Sequence, residues 1–159
     1  MKTAVVYYSY DGNSAFVAEQ IKNKLNADLV RIEMVDEKKR SFFGMILWYG
    51  FHGKKPAIKP HNFDPEAYDL IILGAPVWAG SVASPLKGFL SGTRISGKKI
   101  ALFLCHAGGI GKAMNKFKKA LEGNSIVCET DFINPVKQDP EEQKKLIEGF
   151  VKKITGALS

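Results

Sequence analysis

The sequence predicts an α/β domain built on a mainly parallel sheet. Short apolar runs alternate along the chain with longer amphipathic stretches. Three of the runs are apolar at nearly every position, as suits strands covered on both faces by helices. Turn-forming residues follow several runs and lead into helix signals, the signature of β-α units.

The elements follow in order. Strands are expected at Ala4–Tyr8, Asp28–Ile32, Leu70–Leu73, Ile100–Cys105 and Ile126–Cys128. From Asn13 to Leu25, the residues Val17, Ala18, Ile21 and Leu25 fall on one helical face. Ser84-Pro85 reads as a cap followed by proline at the first helical position. Ile110, Ala113, Met114, Phe117, Ala120 and Leu121 form one stripe of the next helix. Asp139-Pro140-Glu141-Glu142 resembles a capping box, and Leu146, Ile147, Phe150, Val151 and Ile154 line one side of the helix it opens. Right-handed crossovers then place helices on both faces of the sheet. The stretch from about Val35 to Asp64 interrupts the pattern. It is rich in aromatics (Phe42, Phe43, Trp48, Tyr49, Phe51) and then basic and proline-spaced, and is read as a partly helical excursion whose rings pack together.

Length and charge bound the rest. The 159 residues suit one domain, 1–159, large enough to need neither disulfides nor a structural metal. The 23 Lys and Arg against 16 Asp and Glu leave a formal charge of +7, which raises nucleic acid, an anionic membrane or an acidic protein as partners. No apolar run approaches the ~20 residues of a membrane-spanning helix, and no secretory signal is evident, so a cytoplasmic location is expected. Cys105 and Cys128 have no metal-finger spacing, and reduced thiols are expected of them, although adjacent strands would let them pair.

Three loops at strand ends carry candidate chemistry, because open parallel sheets bind ligands beyond the carboxyl ends of their strands. The first, Ser9-Tyr10-Asp11-Gly12-Asn13-Ser14, offers hydroxyls, an amide, a glycine and the free N–H groups of a starting helix. A phosphate needs that combination; an ordinary helix-capping turn uses the same residue types. The second, Gly74 to Ser81, places Trp78 among small residues as an exposed wall for a planar ligand, with burial under a helix as the alternative. The third, His106-Ala107-Gly108-Gly109-Ile110-Gly111-Lys112-Ala113, lacks the first glycine and the hydroxyl of a nucleoside-triphosphate loop. No dinucleotide G-x-G-x-x-G follows the first strand.

Val5-Val-Tyr-Tyr-Ser-Tyr-Asp-Gly-Asn-Ser14 and Tyr68-Asp-Leu-Ile-Ile-Leu-Gly-Ala-Pro-Val-Trp-Ala-Gly80, with Lys98 to Phe103 before a glycine-rich loop, resemble the flavodoxin family across essentially the whole chain. The Phe43-to-Pro56 stretch is similar to that of small bacterial flavodoxin-like proteins. The resemblance implies a flavodoxin-like five-stranded parallel sheet in the order 2-1-3-4-5, with FMN at its switch point; flavodoxins are the familiar example of that rule. It implies that Ser9, Gly12, Asn13 and Ser14, with the backbone of Tyr10 and Asp11, hold the phosphate. Pro76, Val77, Trp78, Ala79 and Gly80 would line the isoalloxazine, with Trp78 on one face. His106, Ala107, Gly108 and Gly109 would approach the other edge, beside Cys105. Two departures stand out: Asp11 replaces the Thr of many flavodoxins, and the third loop lacks the tyrosine that often stacks on the flavin. The second flavin face is then open, or covered by an aromatic from Phe42 to Phe51, a lid being the alternative to the packing cluster read for those rings.

The implied function is electron transfer through a non-covalent flavin, serving a redox partner protein with an acidic surface, as a monomer or weak dimer. An NAD(P)H-dependent FMN quinone reductase is the alternative, and an apo α/β interaction protein ranks below both. His106 is read either as a hydrogen-bond donor to the flavin or as a solvent-facing loop residue. With Asp11 the sole carboxylate in the three loops, the second reduction step is expected to be less negative than in strongly acidic flavodoxins. The lysines of the last two helices avoid the apolar stripes and follow no groove, which sets nucleic acid aside. No His, Cys or carboxylate cluster suggests a metal site.

Overall fold

The computed structural model describes residues 1–36, 41–52 and 54–159. Its core begins with three strands that water does not reach. β1 (Thr3–Tyr7) is buried throughout, β3 (Leu70–Trp78) is buried but for Val77, and β5 (Lys99–His106) is exposed only toward its ends. Strands so apolar on both sides pair in parallel, since each face must meet a helix layer. β2 (Asp28–Arg31) and β6 (Ser125–Ile133) flank them as half-exposed edges. The order is β2-β1-β3-β5-β6, which is the expected 2-1-3-4-5 when the parallel strands alone are numbered. A two-residue strand, β4 (Ser81–Val82), was not expected; it folds back antiparallel on the end of β3.

Side-chain alternation divides the core. Val5 and Tyr7 face α1 (Asn13–Leu25) and α5 (Pro140–Leu158), where Val17, Ile21, Ile147, Phe150 and Ile154 are buried. Ala4, Val6 and Tyr8 face the other layer, built from α3 (Ser84–Gly92), α4 (Ala113–Lys119) and part of the excursion. Asp139 caps α5 as expected, its Oδ1 accepting from the Glu142 N–H at 2.8 Å. Ser84 does not cap α3. It is the first helical residue, and its hydroxyl donates to the Tyr49 carbonyl at 3.0 Å, tying the excursion to the sheet layer.

Of the expected Val35–Asp64 excursion, residues 37–40 and 53 lie outside the described residues. The described part holds a short helix, α2 (Phe42–Met45), running into a π-helical stretch, Ile46–Phe51. Met45 is fully buried, whereas Phe43 and Phe51 are each 70% exposed, so the rings do not gather into one packed cluster.

Two strands run longer than their apolar runs suggest. β3 continues through Gly74-Ala75-Pro76, which composition marks as a loop. Gly74 is there because the Phe103 ring of the neighbouring strand lies across it, and a Cβ would fall inside that ring. Gly74→Ala is expected to lower stability by about 1–3 kcal/mol, the usual range for overpacking a core, read by urea titration.

Candidate functional site

Chain order reverses between β1 and β3: the chain moves outward to β2 from one and to β5 from the other. The loops after these two strands therefore diverge and leave a crevice at the carboxyl edge. Tyr8 N–H donates to the Gly74 carbonyl at 3.1 Å, holding the two loop starts side by side.

The first loop is closely packed. Gly12 (φ 91°) turns the chain into α1 in a left-handed conformation that favours glycine. Asp11 faces the helix start: its Oδ1 accepts from the Asn13 N–H at 3.1 Å, and its Oδ2 from the Asn13 side-chain amide at 2.8 Å. Asn13 Oδ1 in turn accepts from the Val136 N–H at 3.1 Å, fastening the loop to the turn after β6. The Asn13 side chain is thus spent on structure. Ser9 and Ser14 are buried, and neither hydroxyl has an oxygen or nitrogen partner; Ser14 meets only the Cys105 thiol, a weak partner. Such orphans cost about 1–3 kcal/mol each, so their presence at a helix start points to an anion as the missing partner. Arg31, missed in the sequence reading, reaches the Ser9 carbonyl at 3.4 Å from the end of β2; its register opposite Tyr7 places it there.

The second loop corrects an expectation. Trp78 is not exposed; it is 2% accessible, because β3 continues to Trp78 and its ring joins a cluster beneath the loop. Tyr8 meets it edge-on at 5.6 Å, and Phe42 and Tyr10 meet it at 6.2 and 6.5 Å. Tyr10 and Phe42 stack at 4.7 Å with a 25° tilt. Trp78 Nε1 is buried without an acceptor. Ala79 (φ 48°) and Gly80 (φ 66°) form the two-residue turn to β4, both left-handed as a tight hairpin of this hand requires. Lys116 donates to the Gly80 carbonyl at 3.1 Å from α4.

In the third loop, His106 neither faces solvent nor offers a free nitrogen. Its side chain is 6% exposed; Nε2 lies 2.8 Å from Asp131 Oδ2, and Nδ1 accepts from the Gly109 N–H at 2.7 Å. The Gly109 bond requires Nδ1 to be unprotonated and places the ring proton on Nε2, toward Asp131. His106 is therefore a clamp between the glycine-rich loop and β6. Asp131 escaped the sequence reading because β6 extends five residues beyond the expected Cys128.

These loops enclose a crevice of about 80 Å³, small beside the roughly 300–1,000 Å³ of drug-sized ligand sites. Tyr10, Asp11 and Asn13 line it from the first loop, and Pro76, Val77 and Trp78 from the second. Cys105, His106 and Ala107 line it from the third, with Phe42 from the excursion and Asn134 as an unforeseen neighbour. Ser9 and Ser14 sit buried behind this lining; Gly12, Ala79, Gly80, Gly108 and Gly109 set the turns around it without forming its wall. Phe42 lies on Tyr10 where both rings border the crevice. Among the described residues no cluster of His, Cys, Asp or Glu would hold a metal, and no helix is long and apolar enough to cross a membrane.

Cys105 and Cys128 cannot pair. Cys105 sits opposite Phe132 and Cys128 opposite Ala101, which separates them by four residues of strand, roughly 13 Å. Both are free thiols. Burial pushes the Cys105 thiol up to about 12, with the neighbouring Ser14 hydroxyl pulling weakly the other way.

The switch-point crevice, the orphan hydroxyls at a helix start and the aromatic wall define an open α/β protein built to hold an anionic, planar ligand. The sequence profile of the flavodoxin family matches residues 2–148, and the chain belongs to that family. A flavodoxin from Clostridium beijerinckii is 36% identical over 91 residues, covering 54% of this chain and 64% of that protein, less than two thirds of it. A flavoprotein from Lactobacillus acidophilus, solved in complex with FMN, superposes with a TM-score of 0.72 at 26% identity, over 82% of this chain and 92% of that one. Oxidised flavodoxin 2 from Bacillus cereus shares the fold, with a TM-score of 0.65 at 21% identity over 98% and 99% of the two chains.

The Cys105 thiol gives a pH signature. Its proton is held more tightly in the folded state than in the unfolded chain, so its contribution to stability is intact below about pH 9 and is lost as pH rises toward 12. Urea titrations across that window are expected to show a steeper fall for the natural protein than for Cys105→Ala.

Proposed function

We propose that this chain is an electron carrier that holds FMN non-covalently at the carboxyl edge of its sheet. The observation that carries this reading is the pair of buried, unsatisfied hydroxyls, Ser9 Oγ and Ser14 Oγ, at the start of α1. A phosphate supplies the acceptors they lack, and the N–H groups of the first helical turn add to the attraction. Such a site fits the phosphate end of FMN, and the aromatic wall fits its ring system.

When bound, FMN supplies reversible electron transfer, and the protein positions the cofactor and sets its surroundings. Ser9 and Ser14 donate to the phosphate, while Gly12 lets the backbone approach. Asn13 contributes its backbone N–H and keeps its side chain on Val136. Asp11 occupies that N–H in the structure, so it must turn aside for a phosphate to reach it. Pro76, Val77 and Trp78 would line the ring system, and the left-handed turn at Ala79 and Gly80 sets the end of that wall. Trp78 stands behind that turn and steadies it. Cys105 and Ala107 would border the opposite side, and the His106 clamp fixes the loop that ends at Gly109. Tyr10 and Phe42, stacked at the crevice, would shield the ring from water.

FMN titrated into apoprotein, followed by flavin fluorescence quenching, tests the reading. Ser14→Ala is expected to weaken FMN by roughly tenfold or more, the loss of a charge-assisted hydrogen bond. The same change leaves the apoprotein at least as stable, because it deletes an unsatisfied hydroxyl. Asp11→Thr is expected to tighten binding by roughly tenfold, since a carboxylate no longer competes with the phosphate. A protein that shows no FMN binding would overturn the proposal.

Mixing the FMN-loaded protein with NADH or NADPH in a stopped-flow instrument separates carrier from quinone reductase. Slow direct reduction, accelerated by a separate reductase, is the expected result. Rapid reduction by the nucleotide alone assigns the enzyme instead.

A further inference from the structure

The face that carries the excursion is built unlike the rest of the surface. Phe43, Leu47 and Phe51 recur every fourth residue along Phe42–Phe51, so they share one side of that helical stretch. Phe43 and Phe51 are 70% exposed, and Leu47 and Trp48 are well exposed beside them. The stretch is not loose: Met45 is buried, Ile46 and Tyr49 pack against the core, and the Ser84 hydroxyl holds the Tyr49 carbonyl. Its apolar outer side is thus held outward by its own anchoring. Contiguous exposed apolar surface of this kind marks an interaction site.

Cations border it. Lys54 Nζ lies 4.3 Å from the centre of the Trp48 ring. Lys55 and Lys87 line one shallow cavity, and Lys87 and Lys116 line the next, over a floor that includes Leu90, Phe117 and Ala120. Among the described residues no carboxylate bonds to any of these four lysines, and the sequence holds no Asp or Glu from Ser41 through Phe63. Burial, and then the charges of Lys116 and Lys55, push Lys87 below the ordinary lysine range. The cluster lacks an anion.

We propose that this face docks on an anionic lipid bilayer, with Phe43, Leu47 and Phe51 entering the acyl boundary and Lys54, Lys55, Lys87 and Lys116 meeting lipid phosphates. In-plane amphipathic helices bind membranes through this pairing of aromatic and aliphatic side chains with lysines. Trp48, apolar in its rings and polar at its N–H, suits the headgroup level. The patch pairs apolar rings with cations and holds no carboxylate, a combination that a fluid anionic surface accepts in any register. The proposal goes beyond electron carriage and does not depend on the cofactor. Phe42 turns the opposite way, onto Tyr10, so a bilayer bound here lies beside the cofactor crevice.

Co-sedimentation of the full chain with vesicles tests it, using phosphatidylglycerol mixed with phosphatidylcholine against phosphatidylcholine alone. Binding to the anionic vesicles is expected at low salt, weakening as salt rises, with a blue shift in emission that Trp48→Phe abolishes. Phe43→Ser with Phe51→Ser is expected to weaken binding by about tenfold or more, with the circular dichroism spectrum unchanged because both side chains are exposed. Lys55→Gln with Lys87→Gln is expected to remove the preference for anionic lipid. No binding to anionic vesicles at low salt, equal binding to both vesicle types, or an unaltered Phe43/Phe51 variant would each overturn the proposal. So would a dimer in sedimentation velocity that the Phe43/Phe51 variant dissolves while vesicles are ignored. FMN titration of the same sample reports separately on the carrier reading.

Discussion

Parallel pairing of β1 with β3 is the constraint on which the rest depends. Five register pairs, from Thr3 opposite Leu70 to Tyr7 opposite Gly74, fix the two strands at the sheet centre. Both are apolar on each face, so helix layers must cover both sides, and the connections must then leave in opposite directions. The crevice follows from that geometry before any side chain is chosen. Gly74 then serves two ends: its carbonyl receives the Tyr8 N–H, and its missing side chain leaves room for Phe103. Packing and site geometry meet at one residue.

Within the crevice, local stability and ligand chemistry pull against each other. The first loop satisfies its helix start with Asp11, an internal anion standing where an external one is wanted. It still leaves Ser9 and Ser14 unsatisfied. A turn selected for stability alone would have used apolar residues at those buried positions, since replacing an unpaired hydroxyl is neutral or favourable. Departures from local rules of this kind concentrate at functional sites. Asp11 holds the Asn13 N–H that an anion at this helix start would also seek, so it competes with such a ligand rather than defining the site. Arg31, reaching the Ser9 carbonyl, adds the compensating positive charge.

The sequence made the sheet legible because its central strands are continuous apolar runs, and α1 because its stripe is regular; that helix spans Asn13–Leu25 as expected. The first and third loops were legible from composition. What escaped was set by tertiary pairing. β3 runs through Gly74 and Pro76 because neighbouring strands supply partners that local propensity cannot see. Trp78 is consequently buried, against the exposed position inferred from its small neighbours. Asp131 was hidden because an edge strand reads as polar, and its bond to His106 crosses 25 residues of chain. Phe42 was placed with a packing cluster; in the structure it separates from Phe43 and Phe51 and faces the crevice.

The charge of +7 acquires meaning from its distribution. Several lysines are matched: Lys24 and Lys152 with Glu148, Lys144 with Glu141, Lys118 with Glu129, and Lys59 with Glu33. Exposed pairs of this kind add little stability, but they neutralise the local field over α5 and the sheet edges. Lys55, Lys87 and Lys116 have no such match among the described residues, and Lys116 sits on the carbonyl of Gly80. Unmatched positive charge therefore stands beside the turn that borders the crevice. Charge placed there acts on whatever approaches that turn and steers it from a distance that ordinary salt limits to about 8–10 Å. An anion drawn to Lys116 would compete with the Gly80 carbonyl for its ammonium group. Surface docking and the geometry of the crevice turn thus share one side chain.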